Sequence, residues 1–460
     1  MPSDTLIHGG TVVTADRMFQ SDILVNDGKI SSITIDGRNH DVDKTIDASG
    51  KLVMPGIVDP HVHIDDMFSI DTYETATRAA ALGGVTTVID FAWQAWEGET
   101  SAWEEKSTLL DGIERKQQKA EGAYIDFGLH GGITRPDPGV LEELSQAVAR
   151  GVPSFKMFTA YEIGLPNGFI NRVLRELAEL DAVAAFHTED GSVCDSLTEQ
   201  FRQEGRGEAV WYPKSRPPYA EAMAAEDAVR MATEAGCKYY GVHTSCEDAA
   251  EVLESFRRQH PSLVRSETCT HYIAHEESIY RSFGNLPMIA PPIRSDADRD
   301  ALFTYLEREA LDVVSTDHCA FKRVDKQGGE WWESSFGSNS LQRSFPVVHE
   351  LAINQRDFSY PFLVEKMATN PARLFGLSEK GTLAPGTDAD ILIFDPRVTY
   401  TIEAEDNESH ADYSLYEDWE LTGRVETTLV RGEIVVDDHE IRGSSGHGSY
   451  VERTIPSWHS

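Results

Sequence analysis

The sequence predicts an α/β protein, a (β/α)8 TIM barrel with a small β-sandwich domain built from both ends of the chain. Three observations lead there. Between about residue 56 and residue 378, short apolar segments alternate with amphipathic stretches, the pattern of βα units rather than of a sandwich or a helical bundle. Eight such apolar segments can be counted, the number a closed barrel needs. Outside them, both ends carry short alternating segments broken by Asp-Gly, Gly-Gly or Pro-Gly turns, which is how antiparallel strands read.

The eight segments are Gly56–His61, Val85–Phe91, Tyr124–Gly131, Val152–Phe158, Ala182–His187, Tyr239–His243, Leu263–Thr268 and Asp312–Ser315. Several are rich in Val, Ile, Phe or Tyr, as strands prefer. A doubly wound open sheet is the competing architecture, but no G-x-G-x-x-G turn follows an early strand to support nucleotide binding. At the ends, Leu6–Val13 with Asp22–Ile35 and Ala389–Phe394 with Thr427–Val436 flank the barrel and can pair into one small domain. The expected division is residues 1–55 and 379–440 for that domain, 56–378 for the barrel and 441–460 for a tail, extended after Gly443 where Ser, Gly and His dominate.

With 460 residues, 40% of them hydrophobic, the chain can bury a large core and exceeds the usual single-domain size. No window approaches 18 uninterrupted apolar residues, and the start, Met-Pro-Ser-Asp-Thr-Leu-Ile-His, lacks the basic and apolar stretches of a signal peptide. A cytoplasmic protein with no membrane partner is expected, assembled as a homodimer or homotetramer. Five scattered cysteines, none in a Cys-x-x-Cys pair, disfavour a disulfide framework or a thiolate zinc site. The formal charge of −36, with 13 lysines and 28 arginines against 77 acids, argues against nucleic acid as a partner. It suits a halophilic source, because self-repulsion is screened over roughly 3 Å in about 1 M salt; an ordinary acidic enzyme with a solvated surface is the plainer alternative.

The chemistry concentrates at strand ends. The first segment runs into Asp59-Pro60-His61-Val62-His63, and strand alternation turns both imidazoles to one face. His187 closes the fifth segment, His243 the sixth, and Asp317 follows the eighth. Any one of these alone reads as a structural histidine or a capping acid; four matching strand ends on the catalytic face of a barrel read as ligands. Imidazole and carboxylate suit zinc and similar divalent ions, and four histidines with an acid exceed what one catalytic zinc uses. Two metals are the economical reading, and such a pair needs an anionic bridge. Lys156, inside the apolar run Ser154-Phe155-Lys156-Met157-Phe158, is a candidate. As an ammonium it is no ligand, but reaction of its neutral amine with carbon dioxide gives a carbamate; capping the strand or pairing with an acid is the structural alternative.

These motifs resemble the cyclic amidohydrolases, in particular the dihydropyrimidinase and hydantoinase branch. The resemblance covers nearly the whole chain: residues 56–63, Gly83-Gly84-Val85-Thr86-Thr87, residues 154–161 ending in Tyr161, His187-Thr188-Glu189-Asp190, Glu267-Thr268-Cys269-Thr270-His271-Tyr272, Ser315-Thr316-Asp317-His318-Cys319 and the terminal stretch Gly381–Asp390. It implies that His61, His63, carbamylated Lys156 and Asp317 hold one ion, and Lys156, His187 and His243 the other. A hydroxide bridging the pair, zinc by preference, attacks a cyclic amide; Asp317 moves the proton and Tyr161 stabilises the oxyanion, although Tyr161 also reads as an aromatic packed at the barrel mouth. The implied product of a hydantoin or dihydropyrimidine ring is an N-carbamoyl amino acid. Ring recognition in the family is largely by backbone near segments that here resemble Ile289-Ala290-Pro291-Pro292 and Phe336-Gly337-Ser338-Asn339, with Ala290 replacing a usual serine and no clear Asn-Gly at Gly337. Phe68, Trp93, Trp96 and Phe158 fall near lid positions.

Among relatives of that branch, a dihydroorotase carries cationic residues where this chain has Asp65 and Phe321, so an anionic ring is not expected. Allantoinase is the stronger alternative, because Ala290-Pro291-Pro292-Ile293-Arg294 and Gly337 with Leu341-Gln342 resemble it. Tyr161 and Ser414-Leu415-Tyr416-Glu417-Asp418-Trp419 favour the hydantoinase side. A non-catalytic scaffold of the same ancestry would have lost ligands, and all six are present.

Overall fold

The computed structural model describes residues 5–35, 37, 42–66, 69–94 and 107–458. Eight parallel strands pair in sequential order: Ile57–His63, Val85–Trp93, Asp126–Gly132, Ser154–Phe158, Val183–His187, Lys238–Gly241, Val264–Cys269 and Val313–Ser315. We number them barrel strands 1 to 8. All nine residues of Val85–Trp93 are buried, as expected of a parallel strand covered on both faces. The wall closes through a ninth short piece, His318–Cys319, which pairs with barrel strand 1. The eighth strand is thus split: Val313–Ser315 bonds to strand 7, His318–Cys319 to strand 1, and Thr316-Asp317 lie between.

Helices on the outside follow from periodicity. In Asn167–Glu179, Phe169, Ile170, Val173, Leu174 and Leu177 are buried, one apolar stripe at helical spacing. Asp190 starts Gly191–Gln203 by accepting from Val193 N at 2.9 Å, which satisfies an amide the helix leaves open. No described helix is long and apolar enough to cross a membrane.

The two chain ends build a β-sandwich of two sheets. One, of order Lys29–Thr34, Asp22–Asn26, Thr5–His8, Lys44–Asp47, is wholly N-terminal. The other joins both ends, running from Glu440–Ile441 and Glu433–Asp437 through Glu420–Val430 and Ile391–Thr401 to Leu52–Pro55, Thr11–Val13 and Met18–Gln20. The stretch Leu6–Val13, read from sequence as one segment, is two strands in different sheets. Gly9-Gly10 makes the switch: Gly9 has φ +77°, and a Cβ on Gly10 would lie 2.5 Å from Val53 Cγ2. Ile7, Ile23, Val53, Ile391 and Leu429 fill the space between the sheets.

One buried cation joins this domain to the barrel. Lys380 Nζ lies 2.5 Å from Asp126 on barrel strand 3 and 2.8 Å from both Asp388 and Asp390. The tail is extended and anchored under the barrel: Val451 N donates to Phe127 O, and Trp458, 1% exposed, donates from Nε1 to Leu374 O. Arg453 reaches from it to Leu129 O, Ser154 Oγ and Phe375 O, closing the bottom of the barrel. All five cysteines are buried and unbridged.

Candidate active site

At the C-terminal ends of the strands lies a cavity of about 490 Å³. Its floor brings together His61, His63, Lys156, His187, His243 and Asp317, and its walls include Tyr161, Ala290 and Gly337. The expected metal and catalytic residues therefore meet in one place with Ile289, Ala290, Phe336 and Gly337 of the two ring-recognition segments, whereas Pro291, Pro292, Ser338 and Asn339 do not line it. Trp93 and Phe158 also line it, whereas Phe68 and Trp96 lie outside the described residues.

Two donor groups face each other across the floor. Asp317 Oδ1 stands 3.2 Å from His61 Nε2 and 3.1 Å from His63 Nε2. On the other side His187 Nδ1 and His243 Nε2 are 2.9 Å apart. Lys156, 1% exposed, enters from barrel strand 4 with its Nζ 5.3 Å from the ring centroids of both Phe91 and Phe158. Burial pushes its ammonium down to about 8, against the opposing pull of Asp317 and Glu267. A substantial fraction is then neutral amine near physiological pH, the form that reacts with carbon dioxide. Burial also holds His61, His187 and His243 below the usual imidazole range. Asp317 is buried too, which disfavours its charge, but the facing imidazoles hold it well below the usual carboxylate range. Neutral imidazole and ionised carboxylate are the protonation states metal binding requires.

Outer partners fix the imidazoles. His61 Nδ1 lies 2.5 Å from Glu267 Oε1, and Glu267 also accepts from Tyr240 Oη at 2.9 Å. An acceptor on Nδ1 leaves the lone pair on Nε2, a buried atom without a hydrogen-bond partner on the side facing Asp317. His187 donates from Nε2 to Glu189 Oε2 at 2.9 Å, so its Nδ1 lone pair faces His243. Arg216 grips Glu189 at 2.9 and 2.7 Å and stacks its guanidinium 4.9 Å from the Tyr161 ring. Carboxylates behind ligating histidines are the usual means of orienting them. The orphaned His61 Nε2, the paired nitrogens of His187 and His243, and the all-imidazole-and-carboxylate donor set fit divalent cations.

Backbone strain gathers at the same positions. Tyr161 has φ +66°, His243 φ +41° and Asp317 φ +47°, a left-handed region that costs a non-glycine residue about 1–3 kcal/mol. Asp317 sits in it because the eighth strand breaks there. Sequence reasoning misses Arg216, a loop residue with no local signal, and names Glu267 only within a motif, without its role behind His61; Ile289, Phe321 and Phe336, named in other connections, make the cavity wall apolar. Asp59 is likewise named only within a motif, and its Oδ1 accepts from His61 N at 3.1 Å.

The D-hydantoinase of Streptomyces coelicolor (strain ATCC BAA-471 / A3(2) / M145) is 35% identical over 478 residues, covering 98% of each chain. The chain belongs to the hydantoinase and dihydropyrimidinase family. Residues 261–435 match the model of the Amidohydrolase family. The crystal structure of dihydropyrimidinase from Brevibacillus agri NCHU1002 superposes with a TM-score of 0.93 at 31% identity, covering 99% of both chains. An allantoinase of Salmonella choleraesuis (strain SC-B67) is 32% identical over 450 residues, 95% of this chain and 96% of its own.

Proposed function

We propose that this member of the hydantoinase family hydrolyses the amide bond of a neutral cyclic imide, a hydantoin or a dihydropyrimidine, to an N-carbamoyl amino acid. The observation that carries the reading is the meeting of His61, His63, Asp317, Lys156, His187 and His243 on the floor of one cavity whose walls are apolar. We assign His61, His63 and Asp317 to one divalent ion, His187 and His243 to a second, and a carbamate on Lys156 to both; zinc matches the donor set best. In forming that carbamate the neutral Nζ bonds to the carbon of carbon dioxide and one proton leaves, giving an anion on a long stem. When bound, the two cations supply an activated water nucleophile at neutral pH and polarise the substrate carbonyl.

The chain's own groups do the rest. As the new C–O bond forms, the Asp317 carboxylate accepts the nucleophile's proton; as the ring C–N bond breaks, Asp317 delivers it to the departing nitrogen. Tyr161 donates its hydroxyl to the oxygen that gains charge. In the structure that hydroxyl lies 3.3 Å from Glu189 Oε2, so the role requires it to exchange one acceptor for another. Glu267 and Glu189 keep His61 and His187 in the tautomers described, and Arg216 keeps Glu189 charged.

The walls bear on the substrate. Trp93, Phe158, Ile163, Ile289, Phe321 and Phe336 line the cavity, which favours an apolar substituent on the ring at about 25 cal/mol per Å² buried. The ureido arm of allantoin would lose its water partners against such a wall, which makes allantoinase the second reading. Asp65 is paired with Lys119 at 3.0 Å and Phe321 is apolar, so neither supplies a cation for a ring carboxylate. A turnover panel on the metal-loaded protein tests this with dihydrouracil, hydantoin, 5-substituted hydantoins, allantoin and dihydroorotate. Turnover of the neutral imides is expected; faster turnover of allantoin or dihydroorotate would overturn the assignment.

A further inference from the structure

Behind the ring-binding wall stands a buried lysine that the reaction does not use. Lys326, 1% exposed, closes the short helix Arg323–Lys326. Its Nζ donates to Met288 O at 2.9 Å and to Gly337 O. Among the described residues no ion pair joins it to a carboxylate; the other groups acting on it are the Phe321 ring, with the centroid 5.9 Å away, and the Cys319 thiol. A buried cation spent on backbone carbonyls is unusual, since burial of an ammonium without a counter-charge is unfavourable.

The two carbonyls belong to the two segments that form the substrate wall. Met288 precedes Ile289 and Ala290, and Gly337 lines the cavity itself, as does Phe321. The segments also touch directly, through Gly337 N donating to Met288 O at 2.9 Å. Gly337 has φ +153°, and a Cβ there would fall 2.6 Å from Cys319 O. The segment is thus pressed against the end of the eighth strand, two residues from Asp317, in a conformation that only glycine takes easily. Other anchors hold the Ile289 arm: Tyr212 Oη donates to Ile289 O at 2.7 Å and Tyr272 Oη to Pro291 O at 2.7 Å. Among the described residues, Lys326 is the side chain that hydrogen-bonds to both arms at once.

We propose that Lys326 is a positioning residue for substrate specificity, a clamp that sets the spacing between the Ala290 arm and Gly337 and so the width of the slot that receives the ring. The inference rests on the proposed reading of this cavity as a cyclic-imide site. It accounts for how a wall that differs from the family pattern at Ala290 and Gly337 keeps a defined shape, since its recognition is by backbone and its backbone is tied from behind. Burial pushes the Lys326 ammonium down to about 7, yet a neutral amine retains two N–H donors, so both carbonyls stay bonded in either protonation state.

The test is steady-state kinetics on the metal-loaded protein with hydantoin or dihydrouracil as substrate, comparing the parent with Lys326→Met and Lys326→Gln. Lys326→Met keeps the volume and removes the donors; its KM is expected to rise about tenfold, the value of about one buried hydrogen bond, with kcat changed less than about threefold. Lys326→Gln, which keeps an N–H donor on a shorter arm, is expected to fall between. A folded Lys326→Met with the parent's KM overturns the proposal, and so does loss of folding in both variants, which would make the lysine purely structural. If the parent turns over no cyclic imide, the functional reading has failed; if it does and KM is indifferent to residue 326, only the clamp has.

Discussion

Among the described residues two clusters have the geometry of a cation site, and they are built on opposite principles. His61, His63 and Asp317 converge at the top of the barrel; Asp126, Asp388 and Asp390 converge at its junction with the sandwich, and in both the donor atoms lie within 4.8 Å of one another. The lower cluster already contains its cation, the Lys380 ammonium, at 2.5 to 2.8 Å from all three carboxylates. Burial would lower that lysine, but Asp390 and Asp388 outweigh it and hold it above the usual range. At the upper cluster the lysine stands apart, pushed toward its neutral form, and imidazoles supply lone pairs instead of charge. Convergence of donors therefore does not mark a metal site by itself. What separates the two is whether the nearest amine is charged and in place.

The largest break in that comparison comes from Lys156→Ala. Without the proposed bridging carbamate, turnover is expected to fall by about 10³-fold or more, several kcal/mol of transition-state stabilisation, and metal analysis should find fewer than two ions. Added short carboxylic acids should restore part of the activity. Two tightly held ions in this variant would remove the bridging role.

Lys380→Met reverses the picture at the lower site. Asp390 is then left buried without a counter-charge, while Asp388 keeps Lys29 and Asp126 keeps Arg431, so the loss should cost about 3 kcal/mol of stability, read as a lowered melting temperature, with kcat nearly unchanged in protein that remains folded. The sign with pH follows from the raised lysine: the parent's contribution is fully present below about pH 10, the unfolded lysine value, and is lost as pH climbs through the still higher folded value. A parent protein that holds an ion at this site by metal analysis would erase the contrast.

Glu267→Gln sharpens the account of the upper site. It keeps the shape and weakens the acceptor on His61 Nδ1, so metal affinity in a chelator titration should drop roughly 10–100-fold, the usual cost of losing such a partner. Unchanged affinity would reduce Glu267 to packing. The smallest effect expected is that of salt. With a formal charge of −36, the melting temperature should rise by a few degrees between about 0.1 M and about 2 M KCl as surface repulsion is screened. A flat or falling series would leave the acidity as ordinary solvated surface.

Legibility in the sequence divides along the same line. His61, His63, His187, His243 and Asp317 are readable because their chemistry resides in residue type and their spacing follows the strands. Lys156 is readable because an amine inside an apolar run is costly to bury unless its surroundings put it to use. The eight barrel strands are visible through their apolar runs, with ends displaced by up to two residues at the catalytic face: barrel strand 1 runs on to His63, and strand 6 stops at Gly241, before His243 turns left-handed. Arg216 and Lys326 are not readable. One acts on a carboxylate 27 positions away and the other on carbonyls that any residue could supply, so nothing in their own neighbourhoods announces them. The split of Leu6–Val13 between two sheets is hidden because a glycine pair signals a turn but not which sheet follows.

The broken eighth strand has a consequence for how the barrel comes apart. Strands 2 and 3 share seven paired positions, whereas the seam between His318–Cys319 and strand 1 has two, His318 with Val62 and Cys319 with His63. Amide hydrogen exchange should then follow a lower opening free energy near Val62 and His63 than along Val85–Trp93. His61 and His63 stand on one lip of that seam and Asp317 on the other, so an ion held by all three, as proposed, would be a rivet through the joint, and its loss would loosen the wall there.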